Sequence, residues 1–292
     1  MLSDNTKGAA LMSGSLAGYT LNDACMKALS GSMPLSQAVF LRGVVTCVLL
    51  FGLGLALRSL KFDLGRREWT LILLRSFAEV GATYCFLSAL FHMPIANVTA
   101  VLQVLPLTVA LAAWLFLSES LGRRRLVAIL IGLGGVMLIV QPGGDGFNGW
   151  SIYALIAVAF ITFRDIIVRK MSFTTPSMTV AFAAAVVITI AFGLTSITVD
   201  WAPVDAKGAG LLTLAAIFIF IGYLFAVMVM RVGNIGFVAP FRYTGLIWAL
   251  ILGLVFFGEW PDVLTLIGAG VVVAMGMFTL FRERRIARRA RA

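Results

Sequence analysis

Ten polar side chains interrupt the long apolar runs of this sequence, and together they could bind a polar solute inside a membrane. Eight are charged and two are uncharged companions: Asp23, Lys27, Arg42, Arg75, Glu79, Arg164, Asp165 and Arg242, with Asn22 and Gln103. A charge at the bilayer centre costs roughly 3 kcal/mol even on the insertion scale. Eight lipid-facing charges would therefore exceed the net stability of most folds, roughly 5–15 kcal/mol. We expect them to face one another or a watery interior.

Some of these charges could compensate each other within one helix. Three pairs of opposite sign are spaced four residues apart, which places both members on one helix face and lowers the cost of burial: Asp23 with Lys27, Arg75 with Glu79, and Asp165 with Arg169. Each pair can be structural or functional. The carboxylates of Asp23 and Glu79 could also exchange protons as an interior opens to alternate sides, although their basic partners argue against it.

Three arginines carry positive charge that these pairs do not balance. They are Arg42, Arg164 and Arg242. A guanidinium presents a forked set of donors that suits a carboxylate, a phosphate or the carbonyl edge of a ring. The alternative is that these arginines cap helix carbonyls or anchor helix ends near the interface. Tyr84 and Tyr243 could stack on a planar solute, or they could be ordinary core or interface residues.

The composition identifies the elements that must position these residues. The chain is 61% hydrophobic and only 12% charged, with a mean hydropathy of +1.01 over 292 residues, which indicates an all-α integral membrane protein. Windows long enough to cross a bilayer predict ten helices, near residues 8–29, 34–57, 70–91, 95–117, 125–141, 150–170, 176–198, 208–230, 236–257 and 262–281. Pro94, Pro106 and Pro240 should interrupt membrane helices.

Other site chemistries have little support in the sequence. The three cysteines lie in apolar stretches, the chain has one histidine, and no CxxC motif is present, so we predict no metal, no cofactor and no catalytic residue. No GxxxxGK[ST] loop is present to bind ATP. HExxH and GxSxG motifs are also absent from the sequence, which disfavours a membrane-embedded enzyme. A non-transporting sensor is a further alternative.

The basic residues predict the orientation in the membrane. With both termini in the cytoplasm, 17 of the 23 Lys and Arg residues fall in cytoplasmic segments, including six arginines after Phe281. The net charge of +10 therefore reflects topology and contact with anionic lipids rather than nucleic-acid binding.

The two halves of the chain repeat one pattern. Asp23, Lys27, Ser30 and Pro34 recur 142 residues later, Tyr84 and Ala100 recur 139 residues later, and LFLSE at 115–119 recurs as VFFGE at 255–259. We predict a first five-helix repeat over residues 1–141, a second over 150–281, and a basic tail over 282–292. Because each unit has an odd number of helices, the second must be inverted in the membrane.

Glycine-rich faces occur at matching positions of the two repeats, in the fifth helix (Gly132, Gly134, Gly135) and the tenth (Gly268, Gly270, Gly276). Small residues allow close approach of helices. That approach can occur within the monomer or across a homodimer.

The combined pattern resembles a known family. Ten helices in two inverted units, with ANVTAVLQVLPLTVALAAWLFLSE running into IGLGGVMLI, are similar to EamA-type carriers of the drug/metabolite transporter superfamily. NDxxxK, SQAVFLRG and LLRSFAEV, in the first three helices, are similar to bacterial riboflavin importers and, less closely, to S-adenosylmethionine carriers. Other members export amino acids or drugs. The resemblance implies a bacterial inner-membrane carrier with a central cavity that opens by alternating access.

Overall fold

All regular secondary structure in the described part of the chain is helical. The computed structural model describes residues 4–118, 122–143, 147–172, 174–229 and 235–289. The first half contains α1 (Asp4–Ala28), α2 (Leu35–Ala56), α3 (Arg66–His92), α4 (Ile95–Leu102), α5 (Leu105–Leu117) and α6 (Arg123–Val140). The second half contains α7 (Trp150–Lys170), α8 (Ser177–Ser196), α9 (Ala206–Val229), α10 (Ile235–Val238), a 3-10 turn (Ala239–Tyr243), α11 (Thr244–Phe257) and α12 (Val263–Arg289).

Prolines interrupt the fourth helix of each half, as the sequence predicts. The window 95–117 divides into α4 and α5, with Pro106 in the first turn of α5, and Pro240 lies in the 3-10 turn before α11. Proline has no N–H to donate to the preceding turn, so the hydrogen-bond ladder breaks at these points. Pro94 instead precedes α4 as its N-cap.

Eight described helical segments are long and apolar enough to cross a membrane. The segments Ile95–Leu117 and Ala239–Phe257 each count as one span across their breaks. α1 and α6 are not among the eight, since α1 is rich in glycine, serine and charged residues and α6 begins with three arginines. The segment predicted as a basic tail after residue 281 continues α12 as helix to Arg289.

The principal helix contacts join the two halves. α1 packs against α9 and α3 against α7, while α2 packs against α8, α4 against α11 and α6 against α12. These contacts are symmetric between the halves. The first helix of either half packs against the third helix of the other, and the second, fourth and fifth helices each pack against their own counterparts. The fifth helices meet at Gly135 and Gly268, where an added Cβ on either residue would contact the other's carbonyl oxygen.

Two contacts between a helix and a loop are also matched between the halves. Gln37, at the start of α2, donates its amide to the Ala202 carbonyl at 2.8 Å and accepts the Ala202 N–H at 2.9 Å. Thr179, at the start of α8, donates to the Lys61 carbonyl at 3.1 Å and accepts the Lys61 N–H at 3.0 Å. In each half the second helix thus binds the backbone of the loop that follows the other half's second helix. Both side chains are fully buried, so the bonds form away from competing water.

Candidate functional site

A chain of alternating charges connects α3 to α7 in the interior of the bundle. Nη1 of Arg164 donates to both carboxylate oxygens of Glu79, at 2.8 and 3.1 Å. Nη2 of Arg75 lies 3.3 Å from the same carboxylate, which confirms the predicted pairing of Arg75 with Glu79. Asp165 accepts from Arg164 at 2.9 Å. Glu79 is therefore held between two guanidinium groups, and Arg164 between two carboxylates.

A second polar group joins α1 to α2. Nη1 of Arg42 donates to Oδ1 of Asn22 at 3.0 Å, and Nδ2 of Asn22 donates to Oδ1 of Asp23 at 2.9 Å. Arg42 is only 6% exposed and lies within electrostatic range of Asp23. The buried amide of Asn22 thus bridges the two charges, because it accepts a hydrogen bond from Arg42 and donates one to Asp23.

Two tyrosines lie near both the Glu79 group and the Arg42 group. Tyr223 on α9 is within electrostatic range of Glu79, Arg75, Arg164 and Arg42. Tyr19 on α1 meets it edge to face, with ring centroids 5.6 Å apart. We treat the two groups and the two tyrosines as one candidate site, which we name the central polar cluster: Tyr19, Asn22, Asp23, Arg42, Arg75, Glu79, Arg164, Asp165 and Tyr223. Neither tyrosine was among the predicted site residues.

Two arginines of the cluster have N–H groups that the described residues leave unpaired. Nε of Arg42, and Nε and Nη1 of Arg75, are buried without a hydrogen-bond partner among the described residues. Leaving such charged donors unsatisfied costs at least ~1–3 kcal/mol each. A carboxylate or carbonyl oxygen on a bound solute would satisfy them. The cluster contains three arginines and three carboxylates, so their formal charges cancel and the excess positive charge that the sequence indicated is not found there.

The pairing predicted for Lys27 is wrong. Its ammonium lies 2.8 Å from Glu259 rather than beside Asp23, and it also donates to the Met93 carbonyl. Lys27 is in the last turn of α1, so its long side chain reaches past the helix end. Asp165 accepts a hydrogen bond from its neighbour Arg164, and its pairing with Arg169 stays a prediction. Glu259 was not among the predicted site residues, although the repeat of LFLSE as VFFGE ends on it.

Besides Lys27, four predicted residues lie outside the cluster. Arg242 is exposed in the 3-10 turn, because the break before α11 moves it away from the middle of a helix. Tyr84 is 49% exposed and faces Tyr153 at 6.4 Å. Tyr243 is buried against Gly276 of α12. Gln103 is buried at the break between α4 and α5.

Metal-binding side chains are not grouped in the described ranges, where no three His, Cys, Asp or Glu residues come together. The three cysteines there are free thiols.

Comparison with known proteins decides the family. The sequence model of the EamA-like transporter family matches the chain twice, over residues 6–141 and 148–281. The chain belongs to the EamA-like transporter family. It is therefore a multi-pass membrane protein of a small-molecule transporter family, as the resemblance indicated. The two matches also meet between α6 and α7, where the sequence repeat divides.

Individual relatives of this EamA-like chain differ in what they carry. It is 26% identical to the pseudopaline exporter CntI of Pseudomonas aeruginosa, over 92% of this chain and 95% of the relative. It is 29% identical to a riboflavin transporter of Vibrio cholerae, over 75% and 74%. It is 24% identical to an S-adenosylmethionine uptake transporter of Rickettsia bellii, over 66% of each. A solved crystal structure shares the fold with a TM-score of 0.64 at 18% identity, covering 96% of this chain and 99% of its own.

Proposed function

We propose that this chain is a secondary carrier that moves a small polar organic solute across the bacterial inner membrane by alternating access. The observation that carries the proposal is the central polar cluster. Three arginines and three carboxylates from α1, α2, α3 and α7 converge inside an apolar bundle. Such placement is costly in a membrane and marks a passage for solutes more often than a structural element.

The proposed passage lies between two inverted repeats, with both termini in the cytoplasm. Three observations support this arrangement: the double match to the family, the helix contacts that interchange between halves, and the matched contacts of Gln37 and Thr179. In this arrangement α6 and α12 pack outside the helices that line the passage. Their contact at Gly135 and Gly268 uses the predicted small-residue faces within one chain, and a homodimer stays a prediction.

We propose that the solute accepts hydrogen bonds from N–H groups of Arg42 and Arg75 that have no partner among the described residues, since these are directional donors. Riboflavin uptake is the specific activity to test first, given the similarity to the Vibrio cholerae transporter. S-adenosylmethionine transport and export of amino acids or drugs are the alternatives of the same kind. The near full-length similarity to CntI adds pseudopaline export to them. A carrier role is also favoured over an enzyme or a sensor, because the charges converge from several helices.

The test is uptake of labelled riboflavin by riboflavin-requiring bacteria that express the chain. Saturable uptake is expected, and it should be lost in Asp23→Asn, Arg42→Gln and Glu79→Gln while each variant stays in the membrane. Arg66→Gln, at an exposed position at the start of α3, is the matched control and should transport normally. A proton uncoupler will show whether uptake needs a proton gradient. Full activity in all three cluster variants would contradict the assignment of the site.

Absence of riboflavin uptake would redirect the search to the other solutes. The same variants would then be tested for S-adenosylmethionine uptake and for export of amino acids and drugs. Activity with any of these solutes that requires the cluster would retain the carrier proposal with a different substrate.

A further inference from the structure

A second ionic site lies at the end of α1, outside the central polar cluster. Nζ of Lys27 is 2.8 Å from Oε1 of Glu259 and lies over the ring of Phe257, 5.4 Å from its centroid. The same ammonium donates to the Met93 carbonyl. The lysine is 9% exposed and the glutamate 24%. The pair is therefore largely withdrawn from water.

The glutamate extends the contact to a third segment. Its second oxygen, Oε2, accepts the backbone N–H of Ile95 at 3.1 Å, an N–H of the first turn of α4 that has no partner within its own helix. Two side chains therefore fasten the end of α1, the turn between α3 and α4, and the link between α11 and α12. Glu259 directly follows Gly258, whose positive φ of 63° ends α11. This left-handed conformation suits glycine.

The position of this pair relates it to the passage. Lys27 is one helical turn beyond Asp23, about 6 Å along α1, so the pair lies next to the central polar cluster on the side where α1, α3 and α11 end. With the amino terminus in the cytoplasm, that side faces outward. The contact ties helices of both halves together across this end.

The physics of the pair suits a contact that opens and closes. In a dry interior the attraction between the two charges is strong, whereas in water a comparable pair contributes only about 0–1 kcal/mol. Entry of water would hydrate both charges and release them at little net cost. A permanent clamp would gain more from apolar packing, since buried ion pairs stabilise a fold weakly or not at all relative to apolar residues.

We propose that the Lys27–Glu259 pair is the outer gate of the carrier: it is closed in this structure and separates when the passage opens outward. This inference rests on the proposed function but not on any particular solute. The repeat provides sequence counterparts in the other half: Lys27 corresponds to Arg169, and Glu259 corresponds to Glu119. Glu119 lies outside the described residues.

The test measures access from outside rather than transport. A single cysteine replaces Asn22 in a chain whose three native cysteines are removed, and intact cells are treated with a membrane-impermeant maleimide. With the native pair, labelling should be slow. Lys27→Gln and Glu259→Gln should each raise the labelling rate about tenfold, since a tenfold change needs only 1.4 kcal/mol of population shift. The reversed pair, Lys27→Glu with Glu259→Lys, should label more slowly than either single variant, because it restores the ion pair although it loses the bonds to Met93 and Ile95. Lys7→Gln, at an exposed site on the same helix, is the control and should not change the rate.

A second measurement does not depend on the folding of the single variants. Cysteines at positions 27 and 259 are joined by a short bifunctional thiol reagent, which should stop labelling of position 22 from outside until the linker is cleaved. Labelling that continues with the linker in place would overturn the gate. Unchanged labelling in both folded single variants would also overturn it. If position 22 never reacts from either side of the membrane in any variant, the passage itself is disproved and the proposed function fails with it.

Discussion

The contacts α1–α9 and α3–α7 occupy corresponding places in the two halves, yet different chemistry holds them. At α1–α9 the backbones approach at Gly18, where an added Cβ would lie 2.9 Å from the Phe218 carbonyl oxygen. Tyr19 packs on Gly222 there, and Ser15 donates to the Gly222 carbonyl at 2.8 Å. At α3–α7, Phe160 covers Gly81, and the helices are joined by the 2.8 Å bond between Arg164 and Glu79.

The sequence repeat shows which residues of the two contacts correspond. The offset of 139 relates Glu79 to Phe218, and the offset of 142 relates Arg164 to Asn22. At α3–α7 an ion pair joins the two helices. At α1–α9 the ring of Phe218 stands at the position that corresponds to Glu79 and accepts no such bond. Asn22, which corresponds to Arg164, bonds to Arg42 instead. Helix pairing of this kind therefore does not require charge. Assembly of the fold alone therefore does not account for the charges at α3–α7, which agrees with the proposed solute site.

The largest expected effect comes from removing the carboxylate at α3–α7. Glu79→Gln leaves two buried guanidinium groups without their shared counter-charge, so the free energy of unfolding should fall by about 3–5 kcal/mol. Denaturant unfolding of the purified protein in detergent measures it. Glu68→Gln, a partly exposed glutamate on the same helix that accepts a hydrogen bond from Thr175, is the matched control and should cost under about 1 kcal/mol. Equal losses in the two variants would show that the interior charge has no special role in stability.

Adding a methyl group at each contact should lower the free energy of unfolding by different amounts at α1–α9 and α3–α7, and by less than the loss of Glu79 does. Gly18→Ala brings Cβ to 3.0 Å from the Gly222 nitrogen, and because backbone cannot turn aside, α1 and α9 must move apart at about 1–3 kcal/mol. Gly81→Ala meets only the ring of Phe160, at 2.7 Å, and a side chain can rotate. The unfolding free energy should fall more for Gly18→Ala.

Gly210→Ala on α9 is the control for these glycine variants. Nothing lies within 4 Å of the added Cβ, so the higher helix propensity of alanine should leave stability unchanged or raise it. The comparison of the two contacts would be wrong if Gly81→Ala proved the more damaging variant.

The smallest effect is expected from the single hydrogen bond at α1–α9. Ser15→Ala removes the bond to the Gly222 carbonyl and should lower the unfolding free energy by about 0.6 kcal/mol, the average for polar contacts between membrane helices. Thr20→Ala removes a hydroxyl that bonds within α1, to the Leu16 carbonyl, and provides the comparison for loss of a local bond. A loss for Ser15→Ala larger than that for Gly18→Ala would show that hydrogen bonding, not close backbone approach, holds this contact.

The sequence alone determined the helices, because their signals are local. Apolar runs of membrane length set the helix positions, and Pro106 and Pro240 marked the breaks in the fourth helix of each half. The repeat of Asp23 as Asp165 predicted a division into halves, and the family model matches the chain twice, over residues 6–141 and 148–281. The pairing of Arg75 with Glu79 was predictable because both lie on one face of one helix.

Tertiary structure alone decided which charges meet. Lys27 pairs with Glu259, 232 positions away in the chain, and Glu79 with Arg164, because the two halves interlock and bring distant helix faces together. Spacing of four residues also predicted Asp23 with Lys27, but a flexible lysine at a helix end can reach several partners, and burial selects the one that another element supplies. Arg242 left the site for a similar reason: the break before α11 reorients the backbone. Local periodicity fixes the face on which a charge lies, and only packing determines what that face meets.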